Sequence, residues 1–412
     1  LFLFYFRWRT FRNPRAMVFI MTMLTAFVLF AYGMSETFRG GLYMVPFTVV
    51  AILMVVFFDG RTAYFVFITE IMLCTLIATF PLEFIFVQLV AGIVAITSLK
   101  ELNRRSQLVR AAIFVFLAYC VAYVAVEVMQ SGSADKLSTR MFGFFAINAV
   151  LISFTYVLVF ILEKIFGFVS SVTLVELSDV NNPVLRELSE ECPGTFQHSM
   201  QVSNLASDAA HRIGANVQLV RTGALYHDIG KINNPAFFTE NQHGVNPHDT
   251  LSPVQSARIV INHVYDGLKR AEKAKLPTVI TDFILQHHGA GRAKYFYNTY
   301  CNAHPDEDVD PAPFTYPGPN PQTKETSILM MADAVEAASR SLKEHTVPAI
   351  TDLVNRIIDG QIRDGLHDES PISFRDVNVI KNAFIERLRT MYHARVSYPD
   401  LKKEEAAEKA DA

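Results

Sequence analysis

Ala224-Leu225-Tyr226-His227-Asp228-Ile229-Gly230-Lys231-Ile232 is the stretch on which the reading of this chain turns. An apolar run ends on an adjacent His-Asp pair, and a glycine able to stop a helix follows two residues later. Imidazole nitrogen beside carboxylate oxygen suits a divalent metal, and the compact ammonium of Lys231 suits a phosphate oxygen. By itself the pair decides little, because a His-Asp dipeptide is common by chance and a lone helical histidine is more often a satisfied core or surface residue. Its surroundings carry the weight.

Working outward, His198 follows Pro193-Gly194-Thr195, His263 lies in an amphipathic stretch, and His287-His288-Gly289 closes a helix that begins near Pro277. Asp333 follows Met330-Met331-Ala332 in a further helical stretch. Together, His198, His227, Asp228, His263, His287, His288 and Asp333 offer five imidazoles and two carboxylates, most of two coordination spheres. Asp228 has two carboxylate oxygens and can bridge metals about 3.5–4 Å apart. Water or hydroxide filling the remaining positions becomes a nucleophile at neutral pH, able to attack phosphorus in line. Manganese, iron and zinc all accept such ligands.

The segments bearing these residues have helical periodicity, at 197–213, 217–229, 252–273, 277–288, 324–343, 347–364 and 374–396, with few strand signals. The Pro-rich stretch 305–321 reads as a loop. An all-α domain over 191–400 follows, ahead of a charged, Ala-rich tail at 401–412 that is expected to be disordered.

The first part of the chain is of another kind. All 12 histidines of the 412 residues lie at or after His198, whereas 1–168 is mostly apolar. Six complete spans are expected, at 16–34, 41–58, 62–80, 82–99, 110–129 and 141–166, with 1–6 as the tail of an earlier one. A multi-pass transmembrane helical bundle (1–168), a connector (169–190) and a helical domain then make up the chain. Arg7, Arg9, Arg12 and Arg15 form one basic loop, and Lys100, Arg104, Arg105 and Arg110 another, four spans later, so both lie on the cytoplasmic side and so does the C-terminal domain. Glu70 and Glu127, in or near the end of spans, are functional-site candidates because a carboxylate there is costly, but the favoured reading has Glu70 paired with a polar group on a neighbouring helix and Glu127 at the interface. In the connector, Pro183 opens a short helix over 183–190 with Asn182 as its cap, and the segment is either a signal transmitter or a plain tether.

A net charge of −3 gives no basic field for a nucleic-acid polymer. The four cysteines, Cys74, Cys120, Cys192 and Cys301, form no CxxC, which excludes a zinc knuckle and suits a reducing compartment.

The stretches PGTFQHS (193–199), ALYHDIGKI (224–232), NPHDTLSP (246–253), DFILQHHG (282–289), YPGPNPQTKE (316–325) and MADAVEAASR (331–340) resemble the seven-transmembrane HD family, the PgpH-type cyclic di-AMP phosphodiesterases. With the spans before them, the resemblance covers nearly the whole chain. It implies a helical HD domain with two divalent metal ions, Mn or Fe, held by the seven residues above with Asp228 as the bridge. It implies a bacterial cell-membrane enzyme that hydrolyses cyclic di-AMP to linear pApA. Family members carry an extracytoplasmic domain after their first span, where this chain has only 7–15, which weakens the charge argument at that loop. Gln197 stands where many relatives have His, but it is no ligand in this scheme. The related HD-GYP proteins carry Gly-Tyr-Pro after the double His. Here Gly289-Ala290-Gly291-Arg292-Ala293-Lys294-Tyr295 follows, which argues against cyclic di-GMP.

Lys231 is the expected catalytic cation beside Asp228 and a substrate contact, with a solvated helix-end lysine as the alternative. Arg292, Lys294 and Tyr295 are candidates to contact phosphate or stack on adenine, with a plain surface loop equally open. His248 and Asp249 are candidates for supporting or substrate contacts, or Asp249 for a helix cap. His211, His243, His304, His345, His367 and His393 read as structural. The expected partners are a cyclic dinucleotide, the lipid bilayer and a second copy of the chain. The competing readings are an HD phosphohydrolase acting on another nucleotide, and a receptor that binds nucleotide without turnover.

Overall fold

The computed structural model describes residues 1–99, 102, 105–242 and 244–392. The basic residues Lys100 and Arg104, the side chains of Arg9 and Arg105, the histidines at 243 and 393 and the expected disordered tail at 401–412 lie outside the described residues. The chain divides into two units, Leu1–Asp179 and Val180–Ala412. The described residues are helical or irregular, and their one β-type pairing is an isolated bridge between Arg292 and Thr315.

In the first unit, Pro14–Thr37, Pro81–Ser98, Ser106–Ser131 and Thr139–Phe166 are long and apolar enough to cross a membrane. Their boundaries follow from local chemistry. Pro14 and Pro81 sit in first turns, where a missing N–H costs nothing, and Asn13 accepts from the amides of Arg15 and Ala16. Gly167 takes φ 71° to end the last of the four. Large apolar side chains such as Val18, Leu29, Leu117, Val121 and Phe154 stand exposed along these helices, as a lipid-facing surface requires. The unit is a membrane domain.

Two of the six expected spans are shorter than expected. The stretch 41–58 is broken at Pro46, which separates a 3₁₀ turn, Gly41–Met44, from an 11-residue helix, Phe47–Phe57. Proline cannot donate to the preceding turn and biases Val45 to extended backbone. The stretch 62–80 yields a 16-residue helix, Gly60–Thr75, capped by Asp59, and the chain turns before Pro81. At about 1.5 Å per residue, neither reaches the roughly 30 Å of hydrocarbon as a straight helix. Phe47 to Met54 are all buried, so the shorter helix is enclosed by protein. The stretch 7–15, expected to be a loop, contains a helix, Trp8–Arg12, and Arg7 forms an ion pair with Asp59 at 2.9 Å. Among the described residues Glu70 lacks its expected polar partner as well. Both its oxygens are buried without a hydrogen bond. Glu127 is half-buried.

In the second unit, Pro183–Glu191 carries the expected Asn182 cap, accepting from the Val184 amide. The main helices are Pro193–Ile213, Val217–Tyr226, Pro253–Lys273, Thr278–Gln286, Lys324–Ser339, Val347–Arg363 and Phe374–Met391, each within a few residues of its periodic stretch except where a 3₁₀ turn, a turn or the described limit comes first. Reciprocal caps at Ser252, Thr323 and Ser373 fix three of the starts. A helix not anticipated, Lys294–Ala303, packs Tyr297 and Tyr300 on Phe314. The core is built from Val202, Leu205, Ala224, Phe283, Leu329, Val354 and Phe384 among others, and it locks together the helices that bear the candidate ligands.

Candidate metal centre

Each of the seven candidate ligands is placed by a helix or by the end of one. His198 lies early in Pro193–Ile213, His263 in the middle of Pro253–Lys273 and Asp333 in the middle of Lys324–Ser339. His227 and His287 close the helices Val217–Tyr226 and Thr278–Gln286, and His288 follows directly. Asp228 sits where the chain leaves the helix for the 3₁₀ turn Ile229–Asn233. Gly230 makes that turn fit. A Cβ there would lie 1.8 Å from the His263 carbonyl oxygen and 2.5 Å from the Gly267 nitrogen. Only a glycine lets the His-Asp corner press on the helix that presents His263.

All seven come together and six are buried, with His288 partly open. They form two groups around Asp228. In the first, one ligand atom each of His198, His227 and Asp333 lie within 4.8 Å of one another, and in the second so do those of His263, His287 and His288. The two oxygens of Asp228 face different groups. Its Oδ2 is 3.3 Å from His227 Nε2 and 3.7 Å from His198 Nε2. Its Oδ1 is 3.3 Å from His263 Nε2 and 3.7 Å from His287 Nε2.

Ring orientation is set from behind. The Nδ1 atoms of His227, His263 and His287 lie 2.7, 2.6 and 2.8 Å from the carbonyls of Ala224, Val260 and Ile284, three residues back. Donation of Nδ1–H to these carbonyls leaves each Nε2 lone pair turned inward. His263 and His287 Nε2 stand 3.1 Å apart. Buried polar atoms are normally satisfied, yet His227 Nε2 and Asp228 Oδ1 have no hydrogen-bond partner. Inward lone pairs, two carboxylates and orphaned buried atoms fit a divalent cation in each group.

Charge separates the two groups further. Burial pulls His227 down, but Asp228 and Asp333 outweigh it and lift the imidazole to about 10, so without a metal its Nε2 carries a proton that a bound cation would displace. Burial pushes His288 down to about 3 and lowers His263 and His287 too. Burial raises Asp228 and Asp333, but their histidine neighbours, with Lys231 at Asp228, hold both well below the usual carboxylate range. The first group attracts positive charge, and the second presents neutral imidazoles.

Lys231 Nζ lies 2.7 Å from Asp228 Oδ2 and 2.8 Å from Glu240 Oε1, and 4.9 Å from the centre of the Phe238 ring. Burial lowers its ammonium, but the two carboxylates win and hold it charged. The centre opens on a cavity of about 480 Å³ lined by His198, Asp228, Lys231, His263, Tyr316 and Arg340 among others. A second cavity of about 520 Å³ shares Phe238, Thr239, Glu240 and Val260 with it. Tyr295 and His248 line that second cavity, with Asp249. Asp249 accepts from Asn246, and the next helix is capped by Ser252 instead. Arg292 lies over the Tyr297 ring and Lys294 pairs with Asp364 at 3.0 Å, so neither lines a described cavity. Of the remaining described histidines, His304 stacks on Tyr300, His345 on Tyr392, His367 sits between Ser327 and Gln361, and His211 is exposed.

The sequence reading did not single out Glu240, Glu336, Arg340 and Tyr316. Glu336 and Arg340 stand three and seven residues after Asp333, a spacing that puts them on its helix face.

A helical unit with paired His/Asp groups around a His-Asp corner is an HD-type domain, here following a membrane domain. Residues 1–170 match the family described as 7TM receptor with intracellular HD hydrolase, and residues 195–338 match the HD domain family. The chain belongs to this family of membrane receptors with an HD hydrolase domain. It is 37% identical over 322 residues to the cyclic-di-AMP phosphodiesterase PgpH of Listeria monocytogenes, covering 76% of this chain and 44% of that protein. It is 36% identical over 321 residues to PgpH of Bacillus subtilis, with the same coverage. The chain thus spans about half the length of these curated relatives. The crystal structure of the L. monocytogenes PgpH HD domain in complex with cyclic-di-AMP matches with a TM-score of 0.50 and 43% identity, over 53% of this chain and 100% of that one.

Proposed function

We propose that the second unit hydrolyses cyclic di-AMP to linear pApA on the cytoplasmic face of a bacterial membrane, using two divalent ions, Mn or Fe. One observation carries this reading. The two oxygens of Asp228 face two separate ligand groups, the arrangement a bridging carboxylate needs. The likeness to PgpH supports the substrate.

When bound, such ions supply Lewis acidity to phosphoryl oxygens and make water nucleophilic at neutral pH. The chain does the rest. Asp228, ionised between the groups, holds them in register. Lys231 spends two of its three N–H donors on Asp228 and Glu240, and the third is the one to meet a non-bridging phosphate oxygen in the cavity it lines. Tyr295, Phe296 and Phe237 line the second cavity and offer aromatic faces on which an adenine can stack, which supports a substrate role for Tyr295. A substrate role for Arg292 requires its guanidinium to leave the Tyr297 ring.

The test is product analysis. The full chain, purified in detergent and supplied with manganese, is given cyclic di-AMP, cyclic di-GMP and guanosine tetraphosphate in parallel. The expected result is pApA from the first and little from the others. Absence of turnover of cyclic di-AMP by protein carrying two metals refutes the proposal.

A further inference from the structure

His198 is held differently from the other buried imidazoles of the centre. His227, His263 and His287 lean on backbone carbonyls, whereas the Nδ1 of His198 meets the Oε2 of Glu336, a side chain with almost no exposure. The other oxygen of Glu336 accepts from Arg340 twice, from Nε at 2.9 Å and from a terminal nitrogen at 2.7 Å. Both Glu336 oxygens are therefore committed, and its charge is balanced from the side away from His198. With Nδ1–H given to Glu336, Nε2 is the nitrogen left to face inward, 2.9 Å from Asp333 Oδ1 and 3.7 Å from Asp228 Oδ2. A carboxylate behind an imidazole makes it a stronger donor than a carbonyl does.

The two groups are unequal for a second reason. The first contains Asp333, a charged ligand, and the second consists of three neutral imidazoles. Asp228 is shared and does not distinguish them. We propose that Glu336 is a positioning residue for His198, and that it makes the His198/His227/Asp333 position the tighter of two unequal metal positions. This rests on the metal-centre reading above. The alternative, an ordinary Glu-Arg pair one turn apart on a helix, predicts no effect on metal.

The experiment uses the full chain stripped with a chelator and titrated with Mn²⁺ by calorimetry, with hydrolysis of cyclic di-AMP followed on the same preparation. The wild type is expected to take up Mn²⁺ in two steps at least about tenfold apart. Glu336→Gln, close to isosteric but uncharged, is expected to weaken the tighter step by about 10–100-fold and to leave the weaker step within about threefold. Thermal unfolding of the metal-free variant checks its fold. Should it fail to fold, Arg340→Gln decides, with an expected three- to tenfold weakening confined to the tighter step, roughly. Two indistinguishable steps in the wild type, or a variant that moves both steps or neither, overturn the inference. Those results alongside active hydrolysis leave the metal-centre reading standing, whereas a wild type that takes up no Mn²⁺ overturns both.

Discussion

Replacing Asp228 with Asn keeps the shape of the side chain and removes its charge, so it separates bridging from packing. One of the two oxygens becomes an NH₂ group, and whichever way the amide turns, one group loses its acceptor. If the amide nitrogen takes the Oδ2 position it faces Lys231 at 2.7 Å, donor against donor, so the rotamer is driven to point nitrogen at His263 and His287. Lys231 keeps Glu240 at 2.8 Å and is not orphaned, so the helical fold survives. A contact to a charged group is worth about 1.5–3 kcal/mol, so the group that loses its acceptor is expected to bind metal roughly 10–10²-fold more weakly, and the group that keeps a now neutral oxygen to weaken by less. The assay is metal per chain after desalting, measured with the rate of cyclic di-AMP hydrolysis. The expected outcome is no more than one metal per chain and a rate down by at least about 10². A variant that keeps two metals and a rate within about threefold of wild type would falsify the bridging role.

Gly230→Ala forces a Cβ to 1.8 Å from the His263 carbonyl, a backbone atom that cannot swing aside, so a loss near the upper end of the overpacking range, about 3 kcal/mol, is expected as a lowered melting temperature. An unchanged melt means the close approach at the corner is relieved at no cost. Lys231→Met leaves Asp228 and Glu240 without their shared cation and is expected to cost about 3–5 kcal/mol in metal-free protein, with turnover at least about tenfold lower when metal is restored. Full turnover with metal restored removes Lys231 from the catalytic machinery. His367, buried, is pushed down from 6.5 to about 4, so its proton favours the unfolded chain. Its contribution is complete above pH 6.5 and is lost as pH falls toward 4, at most about 3 kcal/mol from the size of that shift. His367→Gln should therefore lose less stability than wild type between pH 7 and pH 4.5, and parallel melting curves across that window rule the effect out.

Much of this was legible in the chain itself, and what was legible is local. Helical periodicity, proline and glycine punctuation and capping residues are set within a few positions, so the class of the second unit and most of its helix limits followed from them. The exceptions have local causes too weak to weigh from hydropathy alone. A single residue, Pro46, interrupts a continuous apolar run, and the helix expected over 62–80 ends at Thr75, ahead of Pro81. The helix Lys294–Ala303 packs Tyr297 and Tyr300 on Phe314, from the Pro-rich stretch that follows it, a tertiary contact that periodicity does not reveal.

Imidazole and carboxylate chemistry belongs to the residue, so the seven candidate ligands can be read from the chain alone. How they divide was decided only by the tertiary structure. The seven come from five places tens of residues apart, and which nitrogen meets which oxygen depends on how separate helices are turned when their apolar faces bury together. That packing sets His198 and His227 on one oxygen of Asp228 and His263 and His287 on the other. It also brings Glu336 behind His198, 138 residues away in the chain, a contact no spacing rule contains.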